Sequence, residues 1–266
     1  MSDAFLRIGF RVRKQDVERV RAGLLVDLPW ALREMPHGDD VELQFLVALA
    51  EEPDLDDLRA QAGEGVLEVT REEVPAKEAR PTIQVGRIRV RPPWAEQSRD
   101  PEVIDLAIAS DYAFGTGMHP TTQMCLELLQ TLEPGGALCD WGAGTGILAV
   151  AAARLGWDPI TTIEVDLSSL ETIRSNALAN GVAVTTKWLS LGATDPPWAP
   201  TVTANLQSLV VVEAAAELLE RPPERVIVSG VQEHEIDAAL DAYARHGMHE
   251  RDRRVRLGWA ALVLEQ

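Results

Sequence analysis

The sequence predicts an α/β chain: a twisted, mostly parallel sheet with helices on both faces, preceded by a small α+β unit. Two observations carry this. From residue 101 onward, short apolar runs alternate with stretches of helical period, an order that implies right-handed crossovers and a largely parallel sheet. Residues 1–75 instead read strand, helix, strand, strand, helix, strand, the split pattern of ferredoxin-like domains. Residues 76–100, with Pro81, Pro92 and Pro93 among many charges, read as a linker, so the expected parts are 1–75, 76–100 and 101–266.

In the first part, Phe5, Ile8, Phe10 and Val12 mark a strand, and Val17, Val20, Leu24 and Leu25 form a helical stripe. Trp30 to Met35 is the second strand, and the clean alternation from Val41 to Val47 the third. Asp54 to Ala60 is a short helix after Pro53, and Val66 to Val69 the fourth strand. The acidic run Glu51, Glu52, Asp54, Asp56, Asp57 reads as a solvated face. Within the linker, Ile83 to Val85 and Ile88 to Val90 suggest a hairpin turning at Gly86-Arg87.

In the last part, Val103 to Ala109 is short and apolar. A helix follows Pro120, whose missing N–H is no loss at a first helical position. Five strands are then expected, at Ala137–Trp141, Ile160–Val165, Val184–Leu189, Val202–Leu206 and Val226–Val228. Between the second and third, Ser168 and Glu171 suggest a capping box for a helix running to Asn180-Gly181. Helices at Val210–Leu219 and Glu233–Arg245 follow, and runs around Val255 and from Trp259 to Leu264 close the sheet as an antiparallel pair.

Ligands on such sheets sit beyond the carboxyl ends of the strands, and that edge collects the candidate residues. After the first strand come Asp140, Gly142, Gly144 and Gly146, opening a helix at Ile147. Glycines there let backbone approach a ligand, and a helix start offers unpaired N–H groups. Dinucleotide folds use G-x-G-x-x-G. The G-x-G-x-G spacing here, with an acid two residues ahead, resembles instead the first motif of S-adenosylmethionine (SAM) dependent methyltransferases, which cradles the amino-acid end of SAM. Glu164 closes the second strand, where a carboxylate can accept from a ribose diol or simply lie at the surface. Asn205 closes the fourth, where its amide suits the ammonium of SAM, an incoming amine, or a turn. Upstream, the Phe114–Thr122 segment is apolar and glycine-containing and can fold over a ligand, with Thr122 bonding it from the first helical turn. His119 reads more readily as a structural hydrogen-bonder than as a base.

The totals bound the function. A net charge of −17 over 266 residues disfavours direct nucleic-acid binding and suits a basic partner. Two cysteines, Cys125 and Cys139, fit buried thiols in a reducing cytosol, so a cytoplasmic location is expected. No cluster has metal-ligand spacing, and no apolar run approaches a membrane span of about 20 residues.

Residues 101–266, and less clearly the stretch from Pro81, resemble the methyltransferases of the large-subunit ribosomal protein L-eleven, a protein-lysine methyltransferase family. The matching residues are Ala113-Phe114-Gly115-Thr116-Gly117, His119-Pro120-Thr121-Thr122, Asp140 to Leu148, Ala204-Asn205-Leu206, Ser229-Gly230 and Trp259 to Val263. The resemblance implies a class I SAM-dependent methyltransferase, Rossmann-like with a seven-stranded sheet, whose ferredoxin-like domain grips the protein substrate. It places SAM on Thr122, Gly142, Glu164 and Asn205, with Phe114, Asp140 and Gly144 beside them. It implies methyl transfer to lysine or N-terminal amines of a basic ribosomal protein. Two alternatives stand next to that: another acceptor, and a SAM-binding module that transfers nothing. No catalytic base is assigned. The chain departs from the family pattern at Met118, Glu164 and Leu206-Gln207.

Overall fold

The computed structural model describes residues 4–25, 33–49, 52–75, 81–109, 115–192, 196–215 and 222–266. The chain divides into two compact units, Met1–Pro81 and Thr82–Gln266.

The first unit carries strands β1 (Ala4–Arg13), β2 (Arg33–His37), β3 (Asp40–Ala48) and β4 (Val66–Pro75), with helices α1 (Val17–Leu25) and α2 (Leu55–Ala62). Its sheet runs β2-β3-β1-β4, antiparallel throughout, which is the ferredoxin-like order. The alternation read in the sequence explains which face is covered. Leu6, Ile8, Phe10 and Val12 of β1 and Leu43 and Phe45 of β3 are buried with Val17, Val20 and Leu24 of α1 and Leu58 of α2. Asp54 caps α2 by accepting from the amides of Asp56 and Asp57, which satisfies two donors the helix leaves over. Residues 30–32 of the predicted second strand lie outside the described residues.

The second unit begins with a small sheet, β5 (Ile83–Val85), β6 (Ile88–Arg91) and β7 (Ile104–Ala107), in which β5 and β6 form the predicted hairpin and β7 lies parallel to β6. This corrects the expected linker. Val85, Ile88 and Val90 are buried in the same apolar cluster as the helices of the second unit, so residues 82–100 belong to that unit and its core includes one face of the hairpin. Asp105, 6% exposed, binds both Arg89 and Arg91, and Arg91 also donates to the carbonyls of Pro92, Pro93 and Ala95. That guanidinium fixes the proline loop.

The large sheet has seven strands: β8 (Leu138–Trp141), β9 (Ile160–Glu164), β10 (Thr185–Trp188), β11 (Thr201–Asn205), β12 (Arg225–Gln232), β13 (His249–Arg256) and β14 (Trp259–Glu265). Their order is β10-β9-β8-β11-β12-β14-β13, and only β14 runs against its neighbours. The topology reverses between β8 and β11, and such a switch point opens a crevice at the carboxyl ends of the strands. Helices α3 (Pro120–Leu129), α4 (Ile147–Leu155) and α5 (Leu167–Ala179) contribute to one apolar layer, with Leu138, Ile227 and Val263 from the sheet. Helices α6 (Ser208–Ala214) and α7 (Ile236–Ala244) contribute to the other, with Cys139, Trp141, Val202 and Val228. The period-2 alternation of the strands sorts these residues to the two faces.

Two expectations are corrected in detail. The cap of α5 is Asp166, not Ser168: its carboxylate accepts from the amide and hydroxyl of Ser168. Glu233 to Glu235 form a 3₁₀ turn ahead of α7. The end of the predicted helix Val210–Leu219 falls on residues 216–221, outside the described residues.

Candidate functional site

The carboxyl ends of β8, β9 and β11 and the first turn of α3 bring together Asp140, Gly142, Gly144, Glu164, Asn205 and Thr122. Phe114 lies outside the described residues.

The turn from Trp141 to Ile147 needs its glycines. Gly142, Gly144 and Gly146 have φ of 67°, 54° and 76°, the left-handed region where side chains are strained. Four of the turn's amides are engaged within the protein. Gly142 and Ala143 donate to Ile163 O at 2.9 and 3.2 Å, Gly146 to Ala143 O at 2.7 Å, and Gly144 to Glu164 Oε2 at 2.8 Å. A Cβ added to Gly142 would lie 2.3 Å from Leu206 Cδ2 and one added to Gly146 3.1 Å from Ile173 Cγ2, so close packing also requires glycine in this turn.

Glu164, 8% exposed, is therefore a brace as well as a candidate ligand group. Its Oε1 accepts from the amides of Val165 and Asp166 at 2.8 and 3.0 Å. A carboxylate has about four acceptor positions, and three are engaged, which leaves room for about one hydroxyl rather than both of a ribose diol. Beside it stand two exposed apolar side chains, Val165 (58%) and Trp188 (66%), tied by Trp188 Nε1 donating to Val165 O at 2.8 Å. The sequence reading missed this pair. The signal was a tryptophan at the end of the third strand of an α/β sheet.

Asp140 is 1% exposed and faces the α3–α4 layer. Its Oδ1 accepts from Thr203 Oγ1 at 2.6 Å across the β8–β11 pair. Its Oδ2 has no hydrogen-bond partner among the described residues. Burial pushes its carboxyl up to about 7, against the pull of Thr203 and of the Ala149 amide in the first turn of α4, and nearby Glu164 pushes in the same direction as burial. Thr203 was also missed; a threonine between the apolar Val202 and Ala204 was its only trace.

Asn205 Nδ2 donates to Thr122 Oγ1 at 3.3 Å, so two residues 83 positions apart meet across the crevice. Thr122 is fully buried at the start of α3. The chain beyond Asn205 is held by a close approach. Leu206 N donates to Ser229 O at 3.1 Å, and a Cβ added to Gly230 would lie 1.6 Å from Leu206 O. Gly230 also has a φ of 91°. Gly230→Ala is expected to cost about 3 kcal/mol or more, read as a lower midpoint in denaturant unfolding.

His119 caps α3. Its Nδ1 lies 2.6 Å from Thr121 Oγ1 and accepts from Thr121 N at 3.3 Å, and its ring packs edge-on against Trp259. Burial lowers its pKa to about 4. It is neutral at pH 7 with Nδ1 already engaged, which agrees with the structural reading. Among the described residues, no group of three or more His, Cys, Asp or Glu is placed to hold a metal ion, and no helix is long and apolar enough to cross a membrane.

The sequence model of the family described as ribosomal protein L11 methyltransferase (PrmA) matches residues 45–266. A protein named ribosomal protein L11 methyltransferase from Symbiobacterium thermophilum is 32% identical over 246 residues, covering 86% of this chain and 78% of its own length. One of the same name from Paraburkholderia xenovorans is 36% identical over 172 residues, covering 61% of this chain. That match spans 55% of the relative's length, little more than half. In structure, a ribosomal protein L11 methylase from Lactobacillus delbrueckii subsp. bulgaricus superposes with a TM-score of 0.64 at 22% identity, covering 70% of this chain and 98% of that one. At that identity the likeness concerns the fold.

Proposed function

The chain belongs to the ribosomal protein L11 methyltransferase family, and from that premise we propose that it transfers methyl groups from SAM to lysine or N-terminal amines of a basic protein. Ribosomal protein L11, the substrate in its relatives' names, is the proposed acceptor. The observation that carries the reading is the meeting of Asn205 and Thr122 at 3.3 Å, beside a positive-φ glycine turn and a braced Glu164 at one sheet edge.

The residues fit the cofactor. Asp140 Oδ2 is a buried carboxylate oxygen without a partner among the described residues, suited to the field of a cationic ligand. The turn's glycines hold a left-handed backbone in which side chains would be strained. Glu164 would accept a ribose hydroxyl, Val165 and Trp188 would offer apolar cover to a purine, and Thr122 and Asn205 would hold the amino-acid end. When bound, SAM supplies an activated methyl on a sulfonium.

The chain's own task is to present a neutral amine. A free lysine has a pKa near 10.4, so neutralising it at pH 7 costs roughly 4.6 kcal/mol. Burial of the amine at an apolar mouth, together with a nearby cation, lowers that cost. Orientation supplies most of the rest. No fixed base is required, because the proton can leave to water before transfer. The unit Met1–Pro81 is proposed to grip the acceptor, and the net charge of −17 favours encounter with a basic protein.

The test is incubation with labelled SAM and large-subunit ribosomal proteins, followed by mass spectrometry of the labelled band. Label on lysine or N-terminal amines of ribosomal protein L11 is expected. Label on another acceptor narrows the claim to the chemistry. Binding of S-adenosylhomocysteine without any labelled product makes the protein a SAM-binding module instead.

A further inference from the structure

We propose that Asn176 is a positioning residue for the cofactor turn, its amide tying Thr145 of that turn to Ala109, two residues beyond β7. The inference rests on the methyltransferase reading above. Asn176 is 1% exposed, in the last turn of α5, and no role for it follows from the sequence motifs. Its Oδ1 accepts from Ala109 N at 2.8 Å. Its Nδ2 donates to Ala109 O at 2.8 Å and to Thr145 O at 2.9 Å. Thr145, fully buried, donates in turn from Oγ1 to Gly115 O at 2.7 Å. One side chain thus joins the glycine turn to Ala109, and the turn is joined to Gly115 just ahead of α3.

The C-cap residue of the same helix supplies a natural comparison. Asn180, four residues on, makes the same pair of bonds one strand step earlier: Oδ1 accepts from Ala107 N at 2.9 Å and Nδ2 donates to Ala107 O at 2.7 Å. The match is geometric. Residues i and i+4 of a helix advance about 6.0 Å, and residues i and i+2 of a strand about 6.6 Å. Two asparagine amides therefore pair with the free edge of β7 as a neighbouring strand would. Asn180 shows what a clasp alone looks like, since its third bond returns to its own helix at Asn176 O. Asn176 spends its third bond on Thr145. A buried carbonyl in the turn is satisfied this way, and leaving it unmet would let the turn relax. The turn's shape is what a ligand meets, and the amides of Gly142, Ala143, Gly144 and Gly146 are already committed to holding it.

The experiment compares N176A with N180A in the full chain. Thermal unfolding and S-adenosylhomocysteine affinity by calorimetry are read well below both midpoints. Both variants are expected to unfold at lower temperature. N176A is expected to bind S-adenosylhomocysteine roughly tenfold more weakly, and N180A to stay within about twofold of the unchanged protein. If N176A does not fold, N176D replaces it: the carboxylate keeps the acceptor for Ala109 N and loses both donors, so the same weakening is expected. Affinity retained in the Asn176 variant, or lost equally in N180A, overturns the proposal and leaves a clasp only. Failure of the unchanged protein to bind S-adenosylhomocysteine would instead overturn the functional reading, and is seen before any variant is made.

Discussion

Asp140→Asn is expected to make the ligand-free protein more stable at pH 8 and to weaken its hold on SAM. The buried carboxyl titrates near 7 in the folded protein and near 3.9 in an unfolded chain. The sign follows from proton counting. Between those values the folded state binds more protons than the unfolded one, so this group's contribution to stability declines as pH rises from about 4 to 7 and is constant above. Above pH 7 the folded protein carries a buried anion whose cost, by the size of the shift, is on the order of 4 kcal/mol. Asparagine keeps an oxygen for Thr203 Oγ1 and removes the charge. Its stability advantage should therefore grow between pH 5 and 7 and level off at higher pH, as measured by unfolding midpoints across that range. A cationic cofactor reverses the balance, because only the ionised carboxylate attracts it. In the unchanged protein SAM affinity should fall as pH drops below 7, and in D140N it should be weaker and nearly flat with pH. An advantage independent of pH would mean that burial does not raise the Asp140 carboxyl and that it is ionised throughout this range, whereas an advantage still growing at pH 8 would mean that it is still neutral there.

An arrangement of that kind, in which a residue would lower stability where it is proposed to serve a ligand, is where local sequence rules are expected to fail. An aspartate at the end of an apolar strand contradicts the pattern around it. That contradiction, together with the glycines two, four and six residues on, made the site legible. Glu164 and Asn205 were legible for a related reason: alternating strands and helices place strand ends at one edge, and both residues end strands. The contacts that join separate elements were not legible. Nothing local to Asn176 indicates that it faces Ala109, and nothing local to Thr203 indicates that it pairs with Asp140, since both depend on register and helix phase set by the whole core. Residues 82–100 were misread for another reason. Proline and charge dominate their composition and mask the alternation of Val85, Ile88 and Val90, which bury one face of a hairpin. At α5 two good capping residues lie two apart, and the chain uses Asp166 because its carboxylate reaches the Ser168 amide.

Glu164→Ala should weaken S-adenosylhomocysteine binding by roughly ten- to a hundredfold, and two causes contribute. One is loss of a charge-assisted hydrogen bond to a ribose hydroxyl, about 1.5–3 kcal/mol. The other is release of Gly144, whose amide donates to Oε2 at 2.8 Å and would lose its acceptor. The variants Glu164→Gln and Glu164→Asp separate them. Glutamine can keep an oxygen for the amides of Val165 and Asp166 but sets an NH₂ against the Gly144 N–H, so it disturbs the turn while retaining most of its size. Aspartate keeps the charge and is one methylene too short to span from Val165 to Gly144. If the brace dominates, both variants should bind about as weakly as alanine. If the ribose bond dominates, aspartate should recover part of the affinity and glutamine should not. Calorimetry with S-adenosylhomocysteine and with free adenosine, which shares the ribose, reads the distinction. Binding by E164A within about threefold of the unchanged protein, for both ligands, would remove the ribose from this edge of the sheet and with it the placement of SAM against Val165 and Trp188.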